Sequence, residues 1–330
     1  MKHHLLILLS FLAIGSQSFA QEGVPVYFDY LADNYYLVYP SMAGIGEGGK
    51  IRATIRKQWF NVDEAPNLQT LNAHVRVGES SGFGATVFND ANGYHSQTGL
   101  KLTYAHHLRL GGDYRSLNQL SFGLSAGIQQ SNLDESEFVS VIPDPIITGS
   151  RNSVSYFNMD LGMSYNFMEF YAHAAIHNLL GRGRDLYSAI ESNNLRKYLV
   201  STGYVFGRSE WQVEPSVLFQ FTEFTKEKAI DVNAKVYKSV DFGTVWGGVS
   251  YRRSFDGAQY QTATDFGEQR LQLITPIVGV NYRNFLVSYN YSYQMGDVRF
   301  DNGGFHQITL GYDFGQSEKR YDCKCPAVNY

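Results

Sequence analysis

One pattern recurs along most of this chain: apolar and polar residues alternate with a period of two. The stretch 51–56 reads IRATIR and the stretch 120–129 reads LSFGLSAGIQ. Such alternation is typical of β-strands that have one apolar and one polar face. The stretches run for about ten to thirteen residues, whereas soluble strands usually have about five or six and tilted membrane strands need about nine to eleven. The pattern therefore predicts strands that cross a membrane.

The number of these stretches and their spacing predict how the strands are arranged. We count about fourteen, and an even number is expected of a single-chain outer-membrane barrel. The longer connections include 91–97, 131–152, 178–195, 254–269 and 295–303, and the shorter ones include 78–81, 111–116, 167–168, 207–209, 239–241 and 283–284. Because long and short connections alternate as outer loops and periplasmic turns do, the sequence predicts an all-β fold. The expected architecture is a single transmembrane antiparallel β-barrel of about 14 strands, of the outer-membrane type.

Composition agrees with this fold class and excludes others. Charged residues make up only 18% of the chain and aromatic residues 15%, with 24 Tyr and 22 Phe. Tyrosine is favoured at lipid–water interfaces because its ring is apolar and its hydroxyl stays in water. The net charge of −4 argues against a nucleic-acid partner, which would require a basic surface.

The N-terminal end has the features of a cleaved signal peptide, which we assign to residues 1–20. Lys2 precedes an apolar stretch at 5–14, and Ser18-Phe19-Ala20 forms a small-x-small cleavage site. Since no later run of about eighteen apolar residues occurs, no transmembrane helix is expected.

The remaining chain divides into three predicted parts. Residues 21–47 form a periplasmic N-terminal segment, 48–314 the barrel, and 315–330 a periplasmic tail. Fourteen strands lie between filled eight-stranded barrels and open sixteen-stranded porins, so we expect the lumen to be occluded by loops or by the N-terminal segment.

Motifs for catalysis or metal binding are missing from the sequence, so we expect no enzyme activity and no cofactor. His173 and His177 lie four residues apart on a predicted strand. That spacing corresponds to about 13 Å, too far for one metal ion. Cys323 and Cys325 lie in the tail, and the sequence leaves open whether they pair with each other, pair with a partner or stay free.

Five short motifs follow one another near the N-terminal end. They are YPSMAG at 39–44, RKQW at 56–59, APNLQT at 65–70, GFG at 82–84 followed by FNDANG at 88–93, and YAHHL at 104–108. In order and spacing they resemble the N-P-A-x-A-G, R-x-Q-W, A-P-x-x-x-T, G-x-G…N-D-x-x-G and Y-x-Y-H-L motifs of the PorP/SprF family of type IX secretion membrane proteins. The matching positions are Pro40, Ala43, Gly44, Arg56, Gln58, Trp59, Pro66, Thr70, Asn89, Asp90 and Gly93. Tyr39 departs from the family, which commonly has Asn there.

These motif residues also have a physical interpretation. Arg56 and Gln58 share the polar face of the first strand, and Trp59 lies on the opposite face at its outer end. Pro40 and Gly44 shape an irregular segment before the barrel, and Asn89-Asp90 with Gly93 predicts a turn that closes the third strand.

The resemblance implies a non-enzymatic role in the bacterial outer membrane. Members of the family are required for type IX secretion or for holding secreted adhesins at the cell surface, where gliding bacteria move them along the cell. Possible partners are therefore a secreted surface protein, periplasmic secretion components, and outer-membrane lipid or lipopolysaccharide.

We expect the chain to be a docking base for a secreted surface protein, because about fourteen strands are few for passing folded domains. The candidate docking loops are 131–152, 178–195 and 254–269. Their candidate contact residues are Arg182, Arg184, Tyr187, Phe255, Tyr260 and Phe266, of which the two arginines also suit lipopolysaccharide phosphates. The alternative function is a porin or substrate-specific channel, since the polar face is rich in Gly, Ser, Thr and Gln.

Overall fold

The fold, in a computed structural model, is a closed antiparallel barrel of fourteen strands. The structure describes residues 28–58, 65–111, 115–136, 150–180, 196–207, 210–261, 266–295 and 304–315. The strands are β1 (Gly49–Gln58), β2 (Asn67–Val77), β3 (Ser81–Asn92), β4 (His95–Arg109), β5 (Asn118–Asp134), β6 (Arg151–Phe167), β7 (Phe170–His177), β8 (Lys197–Tyr204), β9 (Trp211–Thr222), β10 (Lys228–Val240), β11 (Gly243–Gln261), β12 (Phe266–Tyr282), β13 (Phe285–Met295) and β14 (Phe305–Phe314). Each strand pairs with its neighbours in the chain, and β1 pairs with β14 to close the ring. The prediction of a barrel of about 14 strands is confirmed.

Side chains alternate between the two surfaces of the barrel as the sequence predicts. On β1, Ile55 points outward and is 57% exposed, whereas Arg52 points inward and is 2% exposed. Outward positions on other strands are likewise apolar, as at Trp211 and Phe285. A soluble protein has the reverse arrangement, so the exposed apolar surface marks a protein whose outside faces lipid. Among the described residues, no helix is long and apolar enough to cross a membrane.

The two ends of the barrel differ in their connections. We call inner the end where β1 begins and β14 ends. There, two residues join β6 to β7, β10 to β11 and β12 to β13. The opposite, outer end carries the longer connections 135–150 and 178–196, together with residues 296–304. Short turns at one end and longer connections at the other are what outer-membrane barrels have.

The prediction was wrong for two of the longer connections. Residues 91–97 contain only a two-residue turn between β3 and β4. Most of 254–269 belongs to β11 and β12, which remain paired as far as Gln261 and Phe266. The alternation already ends at 255–257, where three successive residues are exposed, as is expected of a strand that extends beyond the lipid. The polar residues therefore resembled a loop.

The chain before β1 lies inside the barrel. It consists of a 3₁₀ turn (Phe28–Ala32), helix α1 (Tyr35–Val38) and a second 3₁₀ turn (Pro40–Met42). The sequence predicted a periplasmic segment over 21–47 and left open whether loops or this segment occlude the lumen; its described part contacts the inward-facing side chains of the strands. We call residues 28–47 the lumen segment. Its buried apolar residues pack with inward-facing ones from the wall, among them Leu199, Trp246 and Ile277.

Candidate functional site: the filled lumen

The YPSMAG motif forms a tight turn within the lumen. Pro40 lies in the first turn of a 3₁₀ helix, where its missing N–H costs no hydrogen bond. The amide of Ala43 donates to the carbonyl of Pro40 over 3.2 Å. Gly44 follows with a φ of +66°, a conformation that glycine adopts without strain. The motif thus reverses the chain direction just before it enters β1.

The wall has space for this turn because two strands carry glycine beside it. A Cβ atom on Gly123 of β5 would lie 2.2 Å from the carbonyl carbon of Pro40. One on Gly162 of β6 would lie 2.8 Å from the amide nitrogen of Ser41. The hydroxyls of Ser41 and Ser164 then hydrogen-bond over 2.6 Å. The turn therefore packs directly against the backbone of β5 and β6.

Side chains from β2 and β4 hold the end of the motif. The Gly44 amide donates to His74 Nδ1 over 2.9 Å, and Arg76 donates to the Gly44 carbonyl over 3.1 Å. His107 Nε2 lies 3.0 Å from the carbonyl oxygen of Ala43. The carbonyl of Ala43 and both backbone groups of Gly44 thus have partners from the wall, as buried polar groups require.

A buried carboxylate on β9 gathers three tyrosines. Glu214 accepts hydrogen bonds from Tyr35 over 3.1 Å, from Tyr171 over 2.5 Å and from Tyr237 over 2.5 Å. Burial, together with the charge of Glu214, raises the pKa of the Tyr35 hydroxyl well above its ordinary value. Tyr35 therefore keeps its proton and remains a donor. Hydrogen bonds to a charged acceptor are the stronger kind, so this cluster fixes α1 to the wall.

Two ion-pair contacts fix the beginning of the lumen segment. Lys235 of β10 binds Asp33 over 2.9 Å, and their side chains are 1% and 5% exposed. Closer to the outer end of the barrel, Arg252 binds Asp231 through two hydrogen bonds of 2.6 and 2.7 Å. Tyr30 donates to the same carboxylate over 3.0 Å. Charges this buried require such partners, because an unpaired charge in the lumen would be costly.

Other inward-facing charges pair within the wall itself. Arg52 and Asp313 join β1 to β14 at 2.5 Å, and Lys101 binds Asp160 at 2.6 Å. The guanidinium of Arg56 lies 4.2 Å from the centroid of the Phe305 ring. These contacts cross-link the strands without involving the lumen segment.

A comparison with known protein families decides what kind of barrel this is. A family model described as "Type IX secretion system membrane protein PorP/SprF" matches residues 19–312. The chain belongs to the PorP/SprF family. Most of the family model lies over the described barrel and the lumen segment, so the filled lumen is part of a PorP/SprF membrane protein. No curated protein matches the sequence.

Solved structures with a similar course of the chain are also membrane barrels. The "TodX monoaromatic hydrocarbon channel deltaS2 mutant" has a TM-score of 0.49 and 10% identity over 85% of this chain and 94% of that one. The "CymD monoaromatic hydrocarbon channel" has a TM-score of 0.47 and 11% identity over 82% and 90%. CdiB from Acinetobacter baumannii has a TM-score of 0.44 and 7% identity over 81% and 60%.

The structure separates the PorP/SprF motif residues into two groups. Pro40, Ala43 and Gly44 meet the wall in the lumen, as described above. The others lie toward the outer end of β1 to β4. Arg56, Gln58 and Thr70 point inward and are buried. The Pro66 carbonyl accepts from the Gln58 amide over 3.0 Å, and Asp90 lies on β3. Asn89 also belongs to β3, not to a turn, and accepts from Thr98 over 3.0 Å. Gly93 occupies the turn with a φ of +58°.

The candidate docking residues fall partly outside the described residues. Trp59, Arg182, Arg184 and Tyr187 lie there, as do Cys323 and Cys325. Phe255 is 46% exposed and belongs to β11. Tyr260 and Phe266 belong to the paired ends of β11 and β12, so all three sit on a strand hairpin instead of a loop.

Sequence reasoning missed the residues that hold the lumen segment, among them Glu214, Lys235 and Asp33. The available indication was the charged residue at an inward position in an otherwise apolar–polar alternation, as at Glu214 in β9. The sequence predicts that His173 and His177 do not bind one metal ion together. His177 bonds the Val38 carbonyl over 2.8 Å, and the His173 ring packs 4.9 Å from that of Tyr39. No metal-binding group of His, Cys, Asp or Glu is found among the described residues.

Proposed function

We propose that this PorP/SprF protein is a non-enzymatic barrel of the bacterial outer membrane that docks a secreted surface protein at its outer end. The observation that carries the proposal is the lumen segment. A barrel whose lumen is filled by its own chain is suited to holding a partner outside, not to passing one through. The predicted signal peptide and the short inner turns support an orientation with the inner end in the periplasm.

The lumen segment is attached around much of the wall. Its side chains bond to six different strands: Asn34 to Asn72, Tyr36 to Thr103, Ser41 to Ser164, Tyr39 to Ser201, Tyr35 to Glu214 and Asp33 to Lys235. Displacing it would break all of these bonds and expose buried charges. Such a segment favours a permanently closed barrel.

The outer end offers the docking surface. The hairpin of β11 and β12 extends beyond the alternating part of the barrel, and Phe255 is exposed near its base. Exposed aromatic residues among polar ones are frequent anchors in protein interfaces. We assign docking to this hairpin together with the connection 178–195, which contains Arg182, Arg184 and Tyr187.

Surface retention of the secreted partner tests the docking role. Deleting 181–195, or shortening the hairpin by removing 258–265, should lower retention while the barrel still inserts. Tyr94→Ser, in the short outer turn between β3 and β4, is the matched control and should leave retention unchanged. If the partner stays bound with both outer regions shortened, docking there is wrong, and the periplasmic ends that face other secretion components become the place to look.

The alternative function is a channel, and the polar inward face of the wall is the observation that favours it. Single-channel recording in planar bilayers separates the two functions. We expect no conductance from the intact protein, because the lumen segment fills the pore. A large and stable open conductance would support the channel and contradict the docking proposal.

A further inference from the structure

A group of cations lies on the outward surface of the barrel, near the outer ends of β9, β10 and β11. Lys226, Lys228 and Arg253 are all exposed, and we call them the outer cationic patch. The Nζ atoms of Lys226 and Lys228 each lie 6.0 Å from the centroid of the Phe221 ring. Two ammonium groups thus share one aromatic side chain, which leaves a cationic surface over an apolar base.

Strand register brings the third cation beside them. Ile230 of β10 pairs with Arg253 of β11, and Lys228 lies two residues before Ile230 on the same face. Lys228 and Arg253 are therefore diagonal neighbours, which in a sheet lie about 7–8 Å apart. Long side chains at that separation can contact one phosphate group together.

The height of the patch matches the edge of the lipid. Trp211 lies at the inner end of β9, with the Lys238 ammonium 5.0 Å from its ring. Ten residues of tilted strand separate Trp211 from Phe221, which corresponds to about 25 Å, the height of the apolar band of such barrels. The outward residues of β9 in between are apolar: Val213, Pro215, Val217 and Phe219. The patch thus lies where lipid headgroups of the outer leaflet begin.

Three carboxylates, those of Glu223, Glu227 and Asp256, belong to the same part of the chain as the patch. Glu223 accepts from Arg196 over 3.0 Å and from Tyr198 over 2.8 Å, and Asp256 accepts from the backbone amide of Lys228 over 2.6 Å. Within the described part of the chain, none of the three patch cations forms a salt bridge. The outward positions at the same end of β3 and β4 are uncharged: Asn89, Ala91, Ser96 and Thr98. The outer ends of β3 and β4 therefore have no outward cations that correspond to the patch.

We propose that the outer cationic patch binds the phosphate groups of an anionic lipid in the outer leaflet. Arginine presents two parallel donors to a phosphate and lysine a point charge, so the three side chains suit a phosphorylated headgroup. Phe221 and Ile230 below them provide an apolar surface for the adjoining acyl chains. The barrel would then carry a lipid at a fixed position on its circumference.

Lipid binding by the full chain in detergent tests this proposal. The variant K226Q/K228Q/R253Q is compared with K238Q/R283Q, which removes two cations that lie over aromatic rings at the inner end. The probes are diphosphoryl lipid A, its dephosphorylated form and inorganic phosphate. Because each cation near an anionic lipid surface contributes about fivefold in affinity, we expect the triple variant to bind diphosphoryl lipid A about a hundredfold more weakly.

The control variant and the other two probes show whether the loss of binding is specific to the patch and to lipid phosphate. The inner-end control, K238Q/R283Q, should bind diphosphoryl lipid A as the unchanged protein does. The triple variant and the unchanged protein should bind the dephosphorylated lipid equally. Equal binding by all variants, or an equal loss in the control, overturns the proposal. So does inorganic phosphate binding as tightly as the lipid. Loss of the secreted partner with unchanged lipid binding would assign the patch to a protein contact instead.

Discussion

The smallest residues of the wall determine where the lumen segment can lie. Gly123 and Gly162 are placed so that the backbone of Pro40 and Ser41 touches the backbone of β5 and β6. Larger residues elsewhere on the inward face, such as Glu214 and Lys235, then bond the side chains of the same segment. Close backbone contact on one side and charged hydrogen bonds on the other give the segment one position.

We predict that Gly123→Ala destabilises the barrel by about 1–3 kcal/mol, the usual cost of an overpacked site. The new methyl group would lie 2.2 Å from a backbone atom of Pro40, which has no room to move. The temperature at which the folded band is lost in heat-modifiable gel migration measures this. Gly247→Ala is the control, because its methyl faces outward with the nearest atom at 3.3 Å. Equal transition temperatures for the two variants would contradict the prediction.

The Asp33–Lys235 pair provides a second test at this scale. Asp33→Asn should cost about 3–5 kcal/mol of unfolding free energy, because it leaves the Lys235 ammonium buried and unpaired. Adding Lys235→Met should recover part of the loss, and a double-mutant cycle in urea measures the coupling. Glu223→Gln removes one partner of an exposed pair and should change the unfolding free energy little. A double variant as unstable as the sum of its parts would show that the two side chains are not coupled.

At the scale of elements, the lumen segment and the strands depend on each other unequally. The wall has a continuous hydrogen-bonded ladder that runs from β1 round to β14 and closes without strands from the lumen segment. The segment has only a four-residue helix and two 3₁₀ turns of its own, too short to be stable alone. Its conformation is therefore imposed by the wall.

Deleting residues 28–43 should leave a folded barrel with an open lumen. We expect such a variant to retain heat-modifiable migration and to conduct ions in planar bilayers, in contrast to the silence expected of the intact protein. The reason is that the segment supplies much of the apolar filling of the lumen, including Leu31, Tyr39 and Met42. A folded but silent deletion variant would mean that other parts of the chain close the barrel.

Strands were predictable from sequence wherever lipid lay on one side and the lumen on the other. This condition produces the period of two, and it holds for β1 and β9 over their whole lengths. It fails for the outer part of β11, where 255–257 are exposed in succession, and residues 254–261 were mistaken for a loop. The lumen site was less predictable, because Asp33 and Lys235 are 202 residues apart and only the closed barrel brings them together.

The outward positions of the strands are mostly apolar, whereas most of their inward positions are polar. This inversion makes the outward surface sensitive to charge in a way that depends on depth in the membrane. Val217 lies near the middle of the apolar band on β9, and Phe224 lies in the outer connection between β9 and β10. Both are exposed and apolar, so only their depth distinguishes them.

We predict that Val217→Lys lowers the stability of the barrel in a bilayer by about 2–4 kcal/mol and that Phe224→Lys costs about 0–1 kcal/mol. Lysine at the middle of the band must leave water, whereas lysine at 224 remains in it. Unfolding by guanidinium from lipid vesicles measures both. Equal small effects would indicate a surface that water covers throughout.

The lumen segment also orders the events of synthesis. Tyr30 bonds to Asp231, 201 residues later, and Tyr35 bonds to Glu214, 179 residues later. Tyr30, Asp33 and Tyr35 therefore lack their hydrogen-bond partners on the wall until β9 and β10 have followed them. A chain that stops before β10 leaves Tyr30 and Asp33 unbound, so occupancy of the lumen records that most of the strands are present. The lumen segment therefore forms its full set of bonds only when the ring of strands is nearly complete.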